Sequence, residues 1–268
     1  MNEIDPQAFR QFEHNGWQEI AARYHGGFAA VTTQSVSPLL DAAHVTAGTV
    51  VLDVATGPGY VAAAAAARGA TATGIDFSSE MVEEARGRYP GIDFREGDAE
   101  ALSLAESSFD AVVMNYGMLH LARPEQALRE AYRVLRPGGR IAFTVWDVPE
   151  KTVGFAIVLA AIQKYGDLNV PIPPGPPFFR FSDPDEAKRV LAAAGFVNVS
   201  VTHVPQVWHL ASSDDLFDVM YNASVRNAAL LRAQKADVIE KIRSEIRRSV
   251  EGRANQLPMP AVLTAAEK

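Results

Sequence analysis

The stretch Val50-Val51-Leu52-Asp53-Val54-Ala55-Thr56-Gly57-Pro58-Gly59-Tyr60-Val61, with the alanine run that follows it, decides the fold. Residues 49–54 form a short apolar run, as in a strand buried within a parallel sheet. The alanine-rich residues 59–68 predict a helix. Gly57 and Gly59 join the two, and glycine there lets a ligand approach the backbone closely. Asp76 ends a second apolar run, residues 70–76, at the spacing where a carboxylate accepts hydrogen bonds from ribose hydroxyls. In such sheets the ligand sits beyond the carboxyl ends of the strands.

Taken alone, this turn leaves two cofactors open. Gly57, Gly59 and Ala62 satisfy the dinucleotide pattern G-x-G-x-x-A. Against it, Asp53 puts a carboxylate where pyrophosphate would bind, a position better suited to an ammonium group. No tyrosine is followed four residues later by lysine, the pairing of many short-chain dehydrogenases.

The alternation continues downstream. Residues 78–86 predict a helix that Ser78 or Ser79 caps, and 92–96 and 109–115 predict strands. Residues 124–135 predict a helix with Pro124 in its first turn, ended by Pro137-Gly138-Gly139, before a strand at 140–146. Residues 151–182 break the rhythm with an apolar helix at 152–165 and a proline cluster from Pro171 to Pro177. A helix at 183–194 with Asp183 as cap, a strand at 196–204, two helices within 213–251 split near Gln234-Lys235, and a terminal strand at 259–266 complete the reading. Upstream, residues 7–24 predict a helix interrupted by Gly26-Gly27, and 36–43 a shorter one.

The expected fold class is α/β, a Rossmann-like doubly wound, mostly parallel seven-stranded sheet with an antiparallel edge strand and helical cap insertions. The expected organisation is one domain over residues 1–268. It divides into an N-terminal helical cap (1–45), a core (46–150), an insertion (151–182), more core (183–211), a helical insertion (213–251) and the terminal edge strand (257–268).

Composition narrows the function. The formal charge of −7 lacks the basic balance a duplex nucleic-acid binder needs, so no nucleic-acid partner is expected. With no cysteine, disulfides, thiolate catalysis and cysteine-ligated zinc are excluded. The six histidines show no compact ligand spacing, so no metal is expected. Residues 1–10 are polar and predict no secretory signal. The most apolar helical stretches, 61–67 and 153–162, are too short to span a bilayer, so no stable membrane insertion is expected. The expected location is cytoplasmic, and a homodimer is left open.

The motifs together resemble the class I S-adenosylmethionine (SAM) dependent methyltransferases. Asp53-Val54-Ala55-Thr56-Gly57-Pro58-Gly59 is similar to their first motif, and Gly74-Ile75-Asp76-Phe77-Ser78-Ser79-Glu80-Met81 to their second. Gly97-Asp98-Ala99-Glu100-Ala101-Leu102 resembles their adenine-contacting segment. Phe109-Asp110-Ala111-Val112-Val113 and Arg133-Val134-Leu135-Arg136-Pro137-Gly138-Gly139-Arg140 match the later ones. The resemblance is nearest to the ubiquinone/menaquinone-biosynthesis branch (methyltransferase type 11) and spans about residues 45–146, more weakly 182–201.

That resemblance implies SAM as cofactor. It implies that the Ala55, Gly57 and Gly59 backbone lines the methionine portion, with Thr56 and Gly97 in the same binding loops. Asp53 would act on the amino group, Asp76 on the ribose hydroxyls, and Phe77 and Met81 on the adenine faces. Asp98 would accept from the adenine amine, the Ala99 amide would serve a ring nitrogen, and Asn115 and Tyr24 would touch the methionine portion.

Catalysis and the acceptor are less legible. His120, in the loop after the fourth strand, is the candidate general base for a hydroxyl or acidic carbon, with His25 a weaker one. Trp17, His25, Tyr116 and Arg180 are the candidate acceptor contacts, and Arg226 joins Arg180 should the acceptor be acidic. Further aromatics in the variable segments, among them Phe12, Phe155, Phe178, Phe179, Trp208, Phe217 and Tyr221, favour a small apolar or aromatic acceptor. The reading is a small-molecule methyltransferase. An NAD(P)-dependent oxidoreductase and a non-catalytic SAM-binding regulatory protein stand as its alternatives.

Overall fold

The sheet is built from runs whose burial explains their place in it. A computed structural model describes residues 5–268; the first four residues of the polar opening stretch lie outside the described residues. In chain order the elements begin with helices α1 (Pro6–Tyr24), α2 (Ala29–Thr32) and α3 (Val36–Ala42), strand β1 (Val50–Val54) and helix α4 (Tyr60–Ala67). Then come β2 (Thr71–Asp76), α5 (Ser79–Arg88), β3 (Asp93–Glu96), β4 (Phe109–Asn115), α6 (Pro124–Val134) and β5 (Leu135–Trp146). The second half holds α7 (Val153–Tyr165), α8 (Pro184–Ala193), β6 (Val197–Val204), β7 (Val207–His209), α9 (Asp215–Asn222), α10 (Arg226–Arg232), α11 (Ala236–Glu251), β8 (Gln256–Pro258) and β9 (Ala261–Glu267).

Side-chain caps start three of the helices. Asp5 accepts from the Gln7 and Ala8 amides ahead of α1, Ser78 from the Met81 amide at α5, and Asp183 from the Asp185 amide at α8. The main sheet has seven strands in the order β3-β2-β1-β4-β5-β9-β6. β1 pairs in parallel with β2 on one side and β4 on the other. The order reverses there, so a crevice opens beyond their carboxyl ends.

Four features depart from the sequence reading. The terminal strand is not an edge strand: β9 lies between β5 and β6, antiparallel to both. Its residues Ala261 to Ala266 are all buried, as a strand covered on both faces must be. The edge falls to β6, where Val197 is 54% exposed. Second, β5 begins at Leu135 and not at Arg140: Leu135 pairs with Phe109, and Pro137-Gly138-Gly139 lies in an irregularity before Arg140 pairs with Ala111. Third, the C-terminal insertion holds three helices, because a break at 223–225 separates α9 from α10 and the Ser224 hydroxyl accepts from the Ala228 amide. Fourth, β7 and β8 form a small antiparallel sheet that the sequence reading lacked. Among the described residues no helix is long and apolar enough to cross a membrane.

The ends of β1 and β4 set the floor of the crevice. Ala55 (φ 53°) and Tyr116 (φ 57°) each take left-handed backbone without being glycine, a conformation that costs energy and persists only where the surroundings hold it. The two loops then touch at Gly117, where a Cβ would stand 2.7 Å from the Ala55 Cβ and 2.7 Å from Met114 Cγ. Gly117→Ala is therefore expected to lower stability by about 1–3 kcal/mol, as overpacking does. A urea unfolding midpoint equal to that of the parent would contradict this packing.

Candidate active site

Two buried carboxylates organise the turn between β1 and α4. Asp53, fully buried on β1, accepts through Oδ2 from the Thr56 hydroxyl (2.6 Å) and the Ala62 amide (3.0 Å). Its Oδ1 has no partner among the described residues, and the residue lines the crevice. Asp76, at the end of β2, accepts from the Gly57 amide through Oδ2 (2.9 Å) and from the Ser78 amide through Oδ1 (3.0 Å). Burial pushes the Asp53 carboxyl up to about 7 and the Asp76 carboxyl up to about 6, and their mutual repulsion adds to the former.

Gly57 (φ 51°) and Gly59 (φ 85°) both need left-handed backbone, yet they serve different sides. A Cβ at Gly57 would meet nothing within 4 Å, so its face opens to the crevice. A Cβ at Gly59 would stand 2.7 Å from the Phe94 ring, so Gly59 faces the core and is absent from the crevice lining.

Phe77, Met81, Gly97, Asp98 and Ala99 line the same crevice, next to Ala55, Thr56 and Gly57. Asp98 accepts from the Glu100 amide (2.9 Å) and pairs with Arg10 of α1 at 2.9 Å. Asn115 also lines it, with its side chain locked in place. Its Oδ1 accepts from the Ser35 (2.9 Å) and Thr144 (2.5 Å) hydroxyls, and its Nδ2 donates to the Thr32 carbonyl (3.0 Å).

Beyond the turn the crevice widens into an aromatic chamber; the whole space is about 1260 Å³, including its open mouth. Rings follow one another around it. Trp17 lies 5.9 Å from Tyr24, Tyr24 6.4 Å from Phe28, Phe28 6.4 Å from Phe155, and Phe155 5.7 Å from Phe178. Phe178 lies 6.2 Å from His120, and His120 4.8 Å from Trp17, which closes the circuit. These rings come from α1, the segment after it, α7, the proline-rich loop and the turn after β4. Burial pushes the Tyr24 phenol up to about 12, and its hydroxyl lies 3.2 Å from that of Thr32. Tyr116 lines the chamber beside Trp146 and donates its hydroxyl to Gln206 Oε1 (2.5 Å).

His120 is the imidazole of the circuit. Its Nδ1 lies 2.9 Å from Oε2 of Glu13, a fully buried carboxylate on α1. The other Glu13 oxygen accepts from Arg226 Nε at 2.6 Å. Burial alone would raise the Glu13 carboxyl, but His120 and Arg226 outweigh it and hold it below its ordinary value.

The structure thus gathers most of the residues singled out by sequence around one cavity and leaves three aside. Gly59 packs inward. His25 is exposed and bonds the Tyr60 hydroxyl (2.6 Å) without lining the crevice. Arg180 is paired with Glu125 and Glu186 outside it, so its charge is already neutralised and does not face the chamber. Of the other aromatics named, Phe155 and Phe178 line the chamber, whereas Trp208 and Phe217 are buried in the core. Phe28, Thr32, Trp146 and Glu13 were missed. Only Glu13 carried a signal: it falls one helical turn from Phe9 and from Trp17, a carboxylate on an apolar stripe.

The Asp53 carboxyl has a stability consequence. Its folded value, about 7, exceeds the ordinary 3.8, so the unfolded chain loses this proton first as pH rises. The stability present below the ordinary value is lost progressively as pH climbs to about 7. Asp53→Asn keeps an acceptor for the Ala62 amide and removes that loss. Its urea midpoint relative to the parent is expected to be higher at about pH 8 than at about pH 4; a difference independent of pH would refute the burial effect.

The geometry has counterparts in known proteins. Residues 52–143 match a family described as a methyltransferase domain. The chain is 37% identical over 137 residues to a demethylmenaquinone methyltransferase of Clavibacter sepedonicus, covering 49% of this chain and 53% of that protein. It is 41% identical over 108 residues to the ubiquinone/menaquinone biosynthesis C-methyltransferase UbiE of Geotalea daltonii, covering 37% and 46%. The chain thus spans about half the length of the curated relatives it matches. A phosphoethanolamine N-methyltransferase 2 of Haemonchus contortus, solved in complex with SAM, shares the fold: the TM-score is 0.54 at 18% identity, over 87% of this chain and 52% of that one. The matched residues 52–143 are those that fold around the crevice at the carboxyl ends of β1, β2 and β4, and this stretch of the chain is similar to a methyltransferase domain.

Proposed function

We propose that the protein transfers a methyl group from SAM to a small, planar, quinone-type aromatic acceptor. The observation that carries this reading is the crevice itself, which runs unbroken from the Gly57 turn and Asp76 into the aromatic circuit. The curated relatives' names, which concern demethylmenaquinone and ubiquinone/menaquinone, support the acceptor class.

The residues present fit SAM. The unpartnered Asp53 Oδ1 is a buried acceptor that a donor such as an ammonium group would satisfy. The Gly57 face is open to a ligand, and the Asp76 oxygens, each with one amide bond, retain lone pairs for ribose hydroxyls. Phe77 and Met81 would flank the adenine, Asp98 and Ala99 would read its edge, and Ala55, Asn115 and Tyr24 would bound the methionine portion. The bound cofactor supplies an electrophilic methyl group, displaced in line from a sulfur that keeps the bonding electron pair. This chain's residues orient the acceptor, exclude water with the aromatic walls, and take a proton at His120.

The oxidoreductase alternative is not favoured. A pyrophosphate on the glycine turn would meet the buried carboxylate of Asp53, and the family match points elsewhere. A non-catalytic SAM binder is separated by assay. Incubation with SAM and a panel of dihydroxyarenes, amines and oligonucleotides is expected to yield S-adenosylhomocysteine with the dihydroxyarenes. Calorimetry is expected to show binding of SAM and not of NADPH. SAM binding without turnover of any acceptor would favour the regulatory protein.

Two substitutions divide the site. Asp76→Ala is expected to weaken SAM binding about 10- to 100-fold, the range for hydrogen bonds to a charged group. His120→Ala is expected to slow turnover on the order of 10²- to 10⁴-fold while SAM affinity persists. Unchanged turnover would remove His120 from the mechanism.

A further inference from the structure

The fully buried Glu13 and the residues it joins are not needed to hold SAM, yet they meet at the acceptor chamber. Glu13 reaches His120 from α1, an element outside the methyltransferase core, and is steadied from behind by Arg226 of α10. Arg226 also donates to the Leu119 carbonyl (2.7 Å), one residue before His120, and its guanidinium lies 4.6 Å from the centre of the Phe9 ring. The helices touch closely here: a Cβ at Gly16 would stand 2.5 Å from Val225. Glycine is unfavourable within a helix relative to alanine, and this contact is what it permits.

We infer that Glu13 is the positioning residue of a base at His120, and that the acceptor is an aromatic ring bearing a free hydroxyl. The inference rests on the methyl-transfer reading. A carboxylate accepts and does not donate, so the proton between it and Nδ1 belongs to the imidazole. The neutral ring is then held as the Nδ1–H tautomer, with the Nε2 lone pair left for the acceptor. His120 lines the chamber in the circuit of rings, where the plane of a bound arene brings its hydroxyl to Nε2. The hydroxyl proton passes to Nε2, and the O–H electron pair stays on the acceptor, raising the nucleophilicity of the oxygen and of the ring carbons conjugated to it. The new bond to the methyl carbon forms as the carbon–sulfur bond breaks, with that pair remaining on sulfur. The positive charge lost from the sulfonium reappears on the imidazolium, facing Glu13. An acceptor methylated at carbon returns its hydroxyl proton and releases the ring proton instead, so one proton leaves in either case.

Because Glu13 rides on α1, the base is complete only with α1 seated. That seat is made against the cofactor side of the crevice. Gln18 Oε1 accepts from the Ser78 hydroxyl (2.5 Å) and the Glu80 amide (3.0 Å), and Arg10 pairs with Asp98.

Two measurements test the inference separately from the methyl-transfer reading. The first is nitrogen-15 NMR of the ligand-free protein, with the His120 signals assigned by His120→Gln. The parent is expected to show a protonated Nδ1 and a bare Nε2, and Glu13→Gln a mixed or reversed tautomer. An imidazole protonated on both nitrogens at neutral pH, or the parent tautomer unchanged in Glu13→Gln, would overturn the positioning role. This readout stands even if no acceptor is found.

The second is kinetic. With a naphthohydroquinone as acceptor, Glu13→Gln is expected to lower kcat on the order of 10²-fold or more, as loss of base function does. KM and SAM affinity should change little, and Glu13→Asp should recover part of kcat. The dimethyl ether of the same acceptor should not be turned over. Turnover of the ether, or a Glu13→Gln defect confined to KM with Glu13→Asp no better, would overturn the proposal. A Glu13→Gln variant that fails to fold leaves Glu13→Asp and the ether comparison to decide it.

Discussion

Everything at the crevice depends on two buried carboxylates. Asp53 and Asp76 stand at the carboxyl ends of adjacent strands, and each is held by groups of the glycine turn. Asp53 fastens the first turn of α4 through the Ala62 amide, and Asp76 fastens the turn through the Gly57 amide. Burial makes both acids weaker than usual, so the turn holds stored electrostatic free energy in the absence of a ligand. A ligand that donates hydrogen bonds or carries positive charge into this space relieves that cost. The turn is thereby suited to a ligand that donates hydrogen bonds, and the open face of Gly57 leaves room for one.

The second constraint is the seating of α1. The helix carries Trp17 and Tyr24 into the ring circuit, Glu13 to His120, Gln18 to the start of α5 and Arg10 to Asp98. One helix thus touches both the glycine-turn end of the crevice and its aromatic chamber. Its docking on α10 through Gly16 and Val225 is tight enough that no side chain fits between them.

The conformation of the floor is also held by packing. Ala55 and Tyr116 adopt left-handed backbone at the tips of β1 and β4, and Gly117 lets the two loops meet. Asn115, beside them, spends most of its hydrogen-bonding capacity on Ser35, Thr144 and Thr32. Its position in the crevice is thereby fixed by two separate segments of chain, the 32–35 stretch and β5, as a preorganised site requires.

What the sequence by itself determined is local and periodic. Continuous apolar runs marked β1, β2 and β4, Ser78 and Asp183 marked the helix starts, and the glycine turn with Asp76 in register located the crevice. Such signals are legible because they depend on neighbours a few residues apart. The burial contrast between β9 and β6 was present in the same way, yet strand order is a matter of pairing between distant segments, so the terminal strand was expected at the edge. Only the tertiary structure decided that Arg180 is tied up by Glu125 and Glu186 while Arg226 faces the chamber, since two arginines in variable segments look alike until their partners are known. It alone brought Glu13 to His120, across more than a hundred residues of chain. A carboxylate on the apolar stripe of a helix states that it needs a partner; which partner it finds is settled by how the helix docks.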